Sequence, residues 1–192
     1  AREKVAVFCD VKGDEESGKS KARKNEAVRI FKLLKEIEGD AAFDNLTVGI
    51  ITFYAKQERV LFDEAVNTGY ALCSNEEEFE IAPAWRKAAD GREKLRIGTV
   101  DSFQGKEFDI VILSTVRSNL NAFPRTEENA KRIFGFLALP NRLNVACSRA
   151  QRLLIVVGDG QMYGDDLAKA HVEGLHEFYT TLSTDKQYGN RI

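Results

Sequence analysis

Eight residues near the start of the chain have the spacing of a phosphate-binding loop. Gly13 to Ser20 match the pattern G-x-x-x-x-G-K-[ST] in full, with an apolar strand predicted before them and a helix after them. In such a loop, backbone N–H groups and the lysine surround a phosphate anion. Taken alone, this segment predicts a small self-contained P-loop NTPase or kinase in which Lys19 contacts the phosphates.

The acidic residues inside that loop argue against phosphate binding. Asp14, Glu15 and Glu16 would place three carboxylates in the cradle, where they would repel a triphosphate. The next residues are basic, although a helix start favours acidic side chains, so we expect the helix to begin later, near Asn25. No strand ends in a strong acidic pattern of the kind that holds Mg²⁺ in P-loop enzymes. We therefore interpret the segment as a charged, solvated loop and keep the P-loop enzyme as an alternative.

Two other blocks combine glycine, amide, carboxylate and arginine side chains immediately before strongly apolar segments. Residues 97–109 read IGTVDSFQGKEFD and run into an apolar strand that ends near Val116. Residues 142–150 read RLNVACSRA and precede the apolar run 153–157. In an α/β sheet, ligands gather beyond the carboxyl ends of the strands. We therefore expect the ligand site at that edge, where Asp101–Glu107 follow the predicted strand 95–100.

These two blocks resemble motifs V and VI in the second motor domain of superfamily 1B helicases, the group that contains the nonsense-mediated-decay RNA helicase and senataxin. The first is similar to VDxFQGxExD and the second to RLNVAxTRA, while residues 48–57 are similar to motif IV, ITPYxxQ. The resemblance extends over almost the whole chain, as far as Asp159. Three positions depart from the motifs: Phe53 replaces a proline, Ser148 a threonine, and Asn141 a second arginine.

The resemblance implies that Arg149 is an arginine finger that reaches the γ-phosphate of ATP bound between two motor domains. Such an arginine accelerates phosphoryl transfer by about 10³–10⁵-fold in comparable NTPases. The alternative for Arg149 is an ion pair with a nearby acid on its own helix. Arg142, also in motif VI, either contacts a phosphate or makes a structural pair, and the sequence leaves both possibilities open.

The resemblance also implies that Gln104, Gly105 and Glu107 contact the nucleotide. Glycine lets the backbone approach a phosphate closely, and a carboxylate such as Glu107 can accept hydrogen bonds from ribose hydroxyls. Glu107 has an alternative in an ion pair with Lys106. Asp101 and Gln104 have the spacing of a helix capping box, so Asp101 is interpreted as structural, while Gln104 would couple nucleotide to nucleic acid.

A track for single-stranded DNA or RNA is implied across Thr52, Thr99, Ser102 and Arg117. Hydroxyls and arginines position phosphates without reading the sequence, which suits a motor that steps along any strand. Each hydroxyl could equally be an ordinary strand or turn residue. Arg117 could instead pair with Glu107.

The elements that position these residues read as an α/β domain. Short β-branched runs alternate with amphipathic helical patterns, which predicts a RecA-like, P-loop NTPase-type fold: a mostly parallel sheet with helices on both faces. Strands are predicted at 4–10, 46–52, 95–100, 108–116 and 153–158, and helices at 21–37, 55–66 and 140–149. Residues 1–192 are interpreted as one second RecA-like domain, in which 67–94 form an irregular excursion and 165–192 a helical tail.

Composition sets further limits. A chain of 192 residues, 43% of them hydrophobic, fits one globular domain. Its net charge of −2 means that any basic track for nucleic acid must be local. Three widely spaced cysteines without a CxxC pair indicate reduced thiols in a cytoplasmic or nuclear protein, and no zinc site. The apolar runs are too short to cross a membrane.

Together these observations predict half of an ATP-dependent helicase, with 5′-to-3′ direction implied by the resemblance alone. ATP and Mg²⁺ would bind at an interface with a first motor domain that carries the true Walker motifs, and this chain alone would hydrolyse no ATP. An alternative of a different class is a non-catalytic nucleic-acid-binding module that kept the fold and lost the motor.

Overall fold

A six-stranded parallel sheet forms the centre of the molecule. The computed structural model describes residues 5–39, 43, 45–75 and 78–192. Its strands are β1 (Ala6–Asp10), β2 (Val48–Thr52), β5 (Leu95–Thr99), β6 (Phe108–Ser114), β7 (Ala150–Gly158) and β8 (Gly189–Arg191). The strand order is β5-β2-β6-β7-β1-β8, and every pair of neighbours is parallel.

Helices cover both faces of this sheet. The helices are α1 (Lys24–Glu38), α2 (Ala55–Thr68), α3 (Pro83–Arg86), α4 (Ala130–Phe134), α5 (Pro140–Cys147), α6 (Asp166–His171) and α7 (Glu173–Thr180). Along β6, Val111 and Leu113 pack with α4 to α7, while Ile110 and Ile112 pack with α1 and α2. All seven residues of β6 are buried, as expected for a parallel strand covered on both faces. The predicted fold class is therefore confirmed.

The segment predicted as an irregular excursion, 67–94, contains an ordered hairpin. Strands β3 (Ala71–Asn75) and β4 (Glu78–Ile81) pair antiparallel, and the single helical turn α3 follows them. Phe79 anchors the hairpin by stacking on Phe62 of α2, with ring centroids 5.2 Å apart. The run of acidic residues around Phe79 conceals the strand alternation in the sequence. Positions 76 and 77, and the predicted strand start at Lys4, lie outside the described residues.

The tail, predicted as helical, ends in a strand. After α6 and α7, β8 pairs parallel with β1 and becomes an edge of the sheet. Gly189 begins this strand against the backbone of Leu182, at a distance where any side chain would collide. The three residues of β8 carry no apolar signal, so the sequence pattern did not predict them. The short helix α4 was also not predicted.

None of the helices in the described ranges combines the length and apolar character that crossing a membrane requires.

Candidate functional site

The two motif-bearing segments meet at the amino-terminal ends of β6 and β7. These strands are neighbours, and the Phe108 N–H donates to the Arg149 carbonyl at 2.9 Å. The side-chain amide of Gln151 donates to the Glu107 carboxylate at 2.7 Å. Residues 104–107 are all exposed. The structure thus brings the predicted nucleotide contacts together, at the edge opposite to the carboxyl ends where we expected ligands to gather.

The Arg149 side chain is held by three neutral acceptors. Its Nε donates to the Val145 carbonyl at 3.0 Å, Nη1 to the Lys106 carbonyl at 3.2 Å and Nη2 to the Ser148 hydroxyl at 3.0 Å. Among the residues that the structure describes, no carboxylate forms an ion pair with it. The alternative of a local acid is therefore not observed, and the positive charge remains uncompensated. Since a guanidinium carries more N–H groups than these contacts use, donors remain for an anion.

Arg149 does not lie on a helix as predicted. Helix α5 ends at Cys147, and the arginine occupies the turn between α5 and β7. Its position next to the first residue of β7 explains why its carbonyl can join the ladder to Phe108. The arginine finger candidate is therefore fixed to the central sheet rather than to a mobile helix end.

Gly105 has the backbone conformation that the loop needs. Its φ is +71°, a left-handed region that costs other residues roughly 1–2 kcal/mol. A Cβ built at this position would meet no atom within 4 Å. The glycine is therefore required by conformation rather than by lack of space, and its exposed backbone is open to an approaching phosphate.

Arg142 makes a structural pair. Its Nη2 donates to the Asp101 carboxylate at 2.9 Å, and its guanidinium lies 5.1 Å from the centre of the Phe136 ring. This pair joins motifs V and VI and is one of the two roles left open, while the phosphate contact of Arg142 stays a prediction. The Asp101–Gln104 capping box is wrong, because 100–103 form a single 3₁₀ turn whose N-cap is Thr99, and Gln104 leaves it extended.

The predicted nucleic-acid residues differ in exposure. Thr52 and Thr99 are register partners at the carboxyl ends of β2 and β5. Thr99 is half-buried and Ser102 is exposed. Thr52 is fully buried, and its hydroxyl has no hydrogen-bond partner among the described atoms. Of these three residues, only Thr99 and Ser102 reach the surface.

Arg117 is an interior residue. It is 4% exposed, donates from Nε to the Ile133 carbonyl at 2.8 Å and lies 3.2 Å from the Glu15 carboxylate. Neither the predicted nucleic-acid contact nor the alternative pair with Glu107 agrees with this position. The partner Glu15 belongs to the distant segment Gly13 to Ser20, which matches the phosphate-binding pattern and is called the Walker-like loop below. Local sequence could therefore not reveal the pair.

In the Walker-like loop, the Glu15 carboxylate occupies the interior where a phosphate would have to bind. The side chain of Glu15 is only 6% exposed and points inward, where its carboxylate is bound by Lys21, Arg117, Ser118 and Asn119 at 3.1–3.2 Å. Helix α1 begins only at Lys24, close to the predicted start, so no helix N-terminus follows Lys19 directly. The P-loop alternative is therefore contradicted, and the interpretation as a solvated loop needs correction at Glu15.

A buried polar network holds the turn after β6. Glu26 is fully buried, lies 2.6 Å from Arg23, and accepts from the Val116 N–H at 3.1 Å. Val116 has a φ of +68°, which is a strained conformation for a β-branched residue. Gln57 of motif IV, also buried, donates to the Ser114 hydroxyl at 3.0 Å. Burial raises the pKa of the Glu26 carboxyl, against the opposing effect of Arg23. Gln57 is therefore part of the buried scaffold under this turn.

Within the described part of the chain, no group of three or more His, Cys, Asp or Glu side chains is placed to hold a metal ion. The polar groups open to a ligand at the 104–107 loop are the Gln104 amide, the Gly105 backbone, the Lys106 ammonium and the Glu107 carboxylate, with the Arg149 guanidinium beside them. This set fits the phosphate and sugar of a nucleotide better than a metal, because hard cations take several oxygen ligands.

Comparison with known proteins supplies the family. A model of the AAA domain family AAA_12 matches residues 1–161. A regulator of nonsense transcripts 1 homolog of Neurospora crassa is 31% identical over 156 residues, which is 80% of this chain and 12% of that protein.

Two further relatives carry helicase names. A putative ATP-dependent RNA helicase of Saccharomyces cerevisiae is 31% identical over 172 residues, covering 80% of this chain and 14% of that protein. A putative helicase MOV-10 of Gallus gallus is 41% identical over 73 residues, covering 38% of this chain and 7% of that protein. The chain thus spans a small part of the length of these relatives.

Proposed function

The chain belongs to the AAA_12 family of AAA domains, and from this membership we propose that it is the second RecA-like motor domain of an ATP-dependent nucleic-acid helicase. Proteins of this helicase type use ATP and Mg²⁺ and bind nucleic acid. We propose further that both cofactors are held mainly by a first RecA-like domain of the same protein, with this chain completing the site.

One observation carries the proposal: Arg149 is anchored but uncompensated. Its contacts to the carbonyls of Val145 and Lys106 hold the guanidinium against the 104–107 loop. A fixed positive group costs no reorganisation when negative charge develops on a transferring phosphoryl group. Arg149 would therefore stabilise the γ-phosphate charge during ATP hydrolysis, as an arginine finger supplied by this domain.

The neighbouring loop would bind the rest of the nucleotide. The exposed backbone at Gly105 would approach a phosphate, and Glu107 would accept from the ribose hydroxyls while Gln151 holds it in place. Bound ATP with Mg²⁺ supplies the phosphoryl group whose transfer drives the motor. Gln104 lies in the same exposed loop and would transmit nucleotide binding to the nucleic-acid surface.

The nucleic-acid surface would lie at the opposite edge of the sheet. Thr99 and Ser102, at the carboxyl end of β5, would contact the backbone of single-stranded DNA or RNA. Residues 100–107 connect this edge to the amino-terminal end of β6 and hence to Arg149. One short segment would thus couple strand binding to nucleotide binding. Thr52 and Arg117 are left out of this surface because both are buried.

The test replaces Arg149 with alanine in the natural full-length protein. ATPase turnover should fall by about 10³-fold or more, while nucleic-acid binding without ATP should be retained. Arg152→Ala is the matched control, because this exposed arginine is three residues away and its partner Asp109 keeps contacts to Arg92 at 2.8 Å and Thr47 at 3.0 Å. Its turnover should match the unmodified protein.

Unchanged turnover in Arg149→Ala would remove the arginine-finger assignment. A full-length protein that binds nucleic acid but shows no ATPase activity at all would instead support the non-catalytic binding module.

A further inference from the structure

A basic cavity opens beside the edge strand β5 and reaches the 104–107 loop at Lys106. Its volume is about 520 Å³. It lies between the segment that follows α3 and the loop that precedes β6. The charged residues that line it are five cations and one carboxylate: Arg86, Lys87, Arg92, Arg96, Lys106 and Glu93. This concentration of positive charge contrasts with the net charge of −2 for the whole chain.

Nearby carboxylates neutralise only part of this charge. Arg86 pairs with Glu80 at 2.7 Å. Arg96 and Lys106 share Glu93, at 2.9 Å and 3.8 Å respectively. The last of these distances is long, so Lys106 is weakly compensated.

Arg92 and Lys87 are the two remaining cations of the cavity. Arg92 is divided between Asp90 at 2.7 Å and the buried Asp109 at 2.8 Å, and Asp109 also pairs with Arg152. Lys87 is exposed and forms no ion pair with any residue in the described ranges. The cavity therefore keeps an excess of positive charge that faces solvent.

The cavity is continuous with the proposed nucleic-acid surface. Arg96 lies on β5, and its Nη1 donates to the carbonyl of Ser102 at 3.2 Å. Lys106 extends its side chain toward the cavity, while its carbonyl accepts from Arg149. A strand that contacts Ser102 and continues along the β5 edge would therefore meet Arg96 and then the other cations.

We propose that this basic cavity binds the phosphodiester backbone of single-stranded nucleic acid, as an extension of the track at Thr99 and Ser102. The inference rests on the proposed function. The cations come from α3, the segment after it, β5 and the loop before β6, and all but Arg96 are exposed. This spread suits successive phosphates better than a single small anion. Contacts of this kind set affinity and its salt dependence without reading sequence.

The test measures binding of a fluorescein-labelled oligo(dT) and oligo(U) to the natural full-length protein, without ATP, over a series of salt concentrations. Lys87→Glu should weaken binding about fivefold at low salt and reduce the salt slope by about 1, for both oligonucleotides. The Lys87 side chain is exposed and forms no ion pair in the described structure, and its bridge to Glu93 is made by the backbone, so the variant should fold normally. Lys87→Ala should show a smaller loss in the same direction.

Lys169→Glu is the matched control. Lys169 is exposed on α6, which packs on the face of the sheet opposite to α1 and α2. It forms no ion pair within the described residues. Lys169→Glu makes the same charge change outside the cavity. Its affinity for both oligonucleotides should therefore equal that of the unmodified protein. An equal loss in both variants would show a general charge effect and overturn the proposal.

Unchanged affinity and salt slope in Lys87→Glu would also overturn the proposal. Inorganic tripolyphosphate provides the second arm as a competitor. If Lys87→Glu weakens tripolyphosphate binding but leaves oligonucleotide binding unchanged, the cavity takes small anions and the assignment to nucleic acid is wrong. These measurements need no hydrolysis, so a failure here is distinguishable from a failure of the Arg149→Ala test.

Discussion

Charged side chains cluster in two regions of this molecule, and the two clusters are satisfied in different ways. At the carboxyl ends of β1 and β6, Glu15 and Arg117 are buried and bind each other and the surrounding backbone. At the amino-terminal ends of β6 and β7, Arg149 is partly exposed and has only neutral partners. The first region contains the phosphate-binding pattern of Gly13 to Ser20. The second region contains the arginine whose N–H groups remain free to bind an anion.

The difference shows how to distinguish a binding residue from a scaffold residue. A buried charge must be paired, because an unpaired one costs several kcal/mol, and its partners then leave no capacity for a ligand. A charge held by neutral acceptors at the surface is fixed in place without being neutralised. The Walker-like loop fails as a phosphate site for this reason, although its spacing matches.

The largest expected effect on stability is in the buried region. Glu26→Ala leaves Arg23 as an unpaired buried charge and removes the acceptor for the strained Val116 N–H. We expect the free energy of unfolding to fall by about 3–5 kcal/mol, measured by urea denaturation. Arg149→Ala is the comparison, since it breaks no ion pair in the described structure and should change stability much less. Equal losses in both variants would remove the distinction between the two regions.

Gly105→Ala should have an intermediate effect. The alanine meets no steric obstacle but must adopt a φ of +71°, so we expect a loss of roughly 1 kcal/mol in unfolding free energy. ATPase turnover should fall as well, because the backbone approaches the phosphate less closely. Gly69→Ala is the control, with a φ of +84° and equally open surroundings at the end of α2, outside the proposed nucleotide and nucleic-acid surfaces. It should lose similar stability and no turnover; a parallel loss of turnover would argue against a nucleotide role for Gly105.

The smallest effect is expected at Lys19. This lysine is exposed and follows Glu15 in the same loop, whose inward-facing charge is that Glu15 carboxylate. Lys19→Ala should change stability by less than about 0.5 kcal/mol and leave the ATPase activity of the full-length protein unchanged. Abolished turnover would restore the P-loop alternative, and with it a functional role for the first region.

The sequence predicted the fold class and the position of most central elements because these depend on local apolar patterns. Strand β6, with its continuous buried run, is the clearest case. Motifs V and VI also identified residues that the structure brings together, Gly105, Glu107 and Arg149. Their location at the amino-terminal edge was not predicted, because it depends on the short return of the chain from β5 to β6.

The remaining errors have a common physical origin in long-range contacts. Arg117 is buried because Glu15, far away in sequence, reaches it across the sheet. Strand β8 forms because β1 offers a free edge, not because Gly189–Arg191 is apolar. The β3–β4 hairpin is held by Phe79, which packs on Phe62 of α2. The acidic residues around Phe79 predict an irregular segment instead, because they give no apolar alternation.

The attachment of Arg149 to the sheet has a consequence for motion. Its carbonyl is bound by Phe108 and its guanidinium by Lys106, so two contacts tie the arginine to the start of the central strand β6. Rotating the Arg149 side chain away from the 104–107 loop would break its hydrogen bonds to Val145, Lys106 and Ser148. In a two-domain motor, this arginine would enter and leave the nucleotide site by rigid-body rotation of the whole domain. The timing of hydrolysis would then follow the closing angle between the domains.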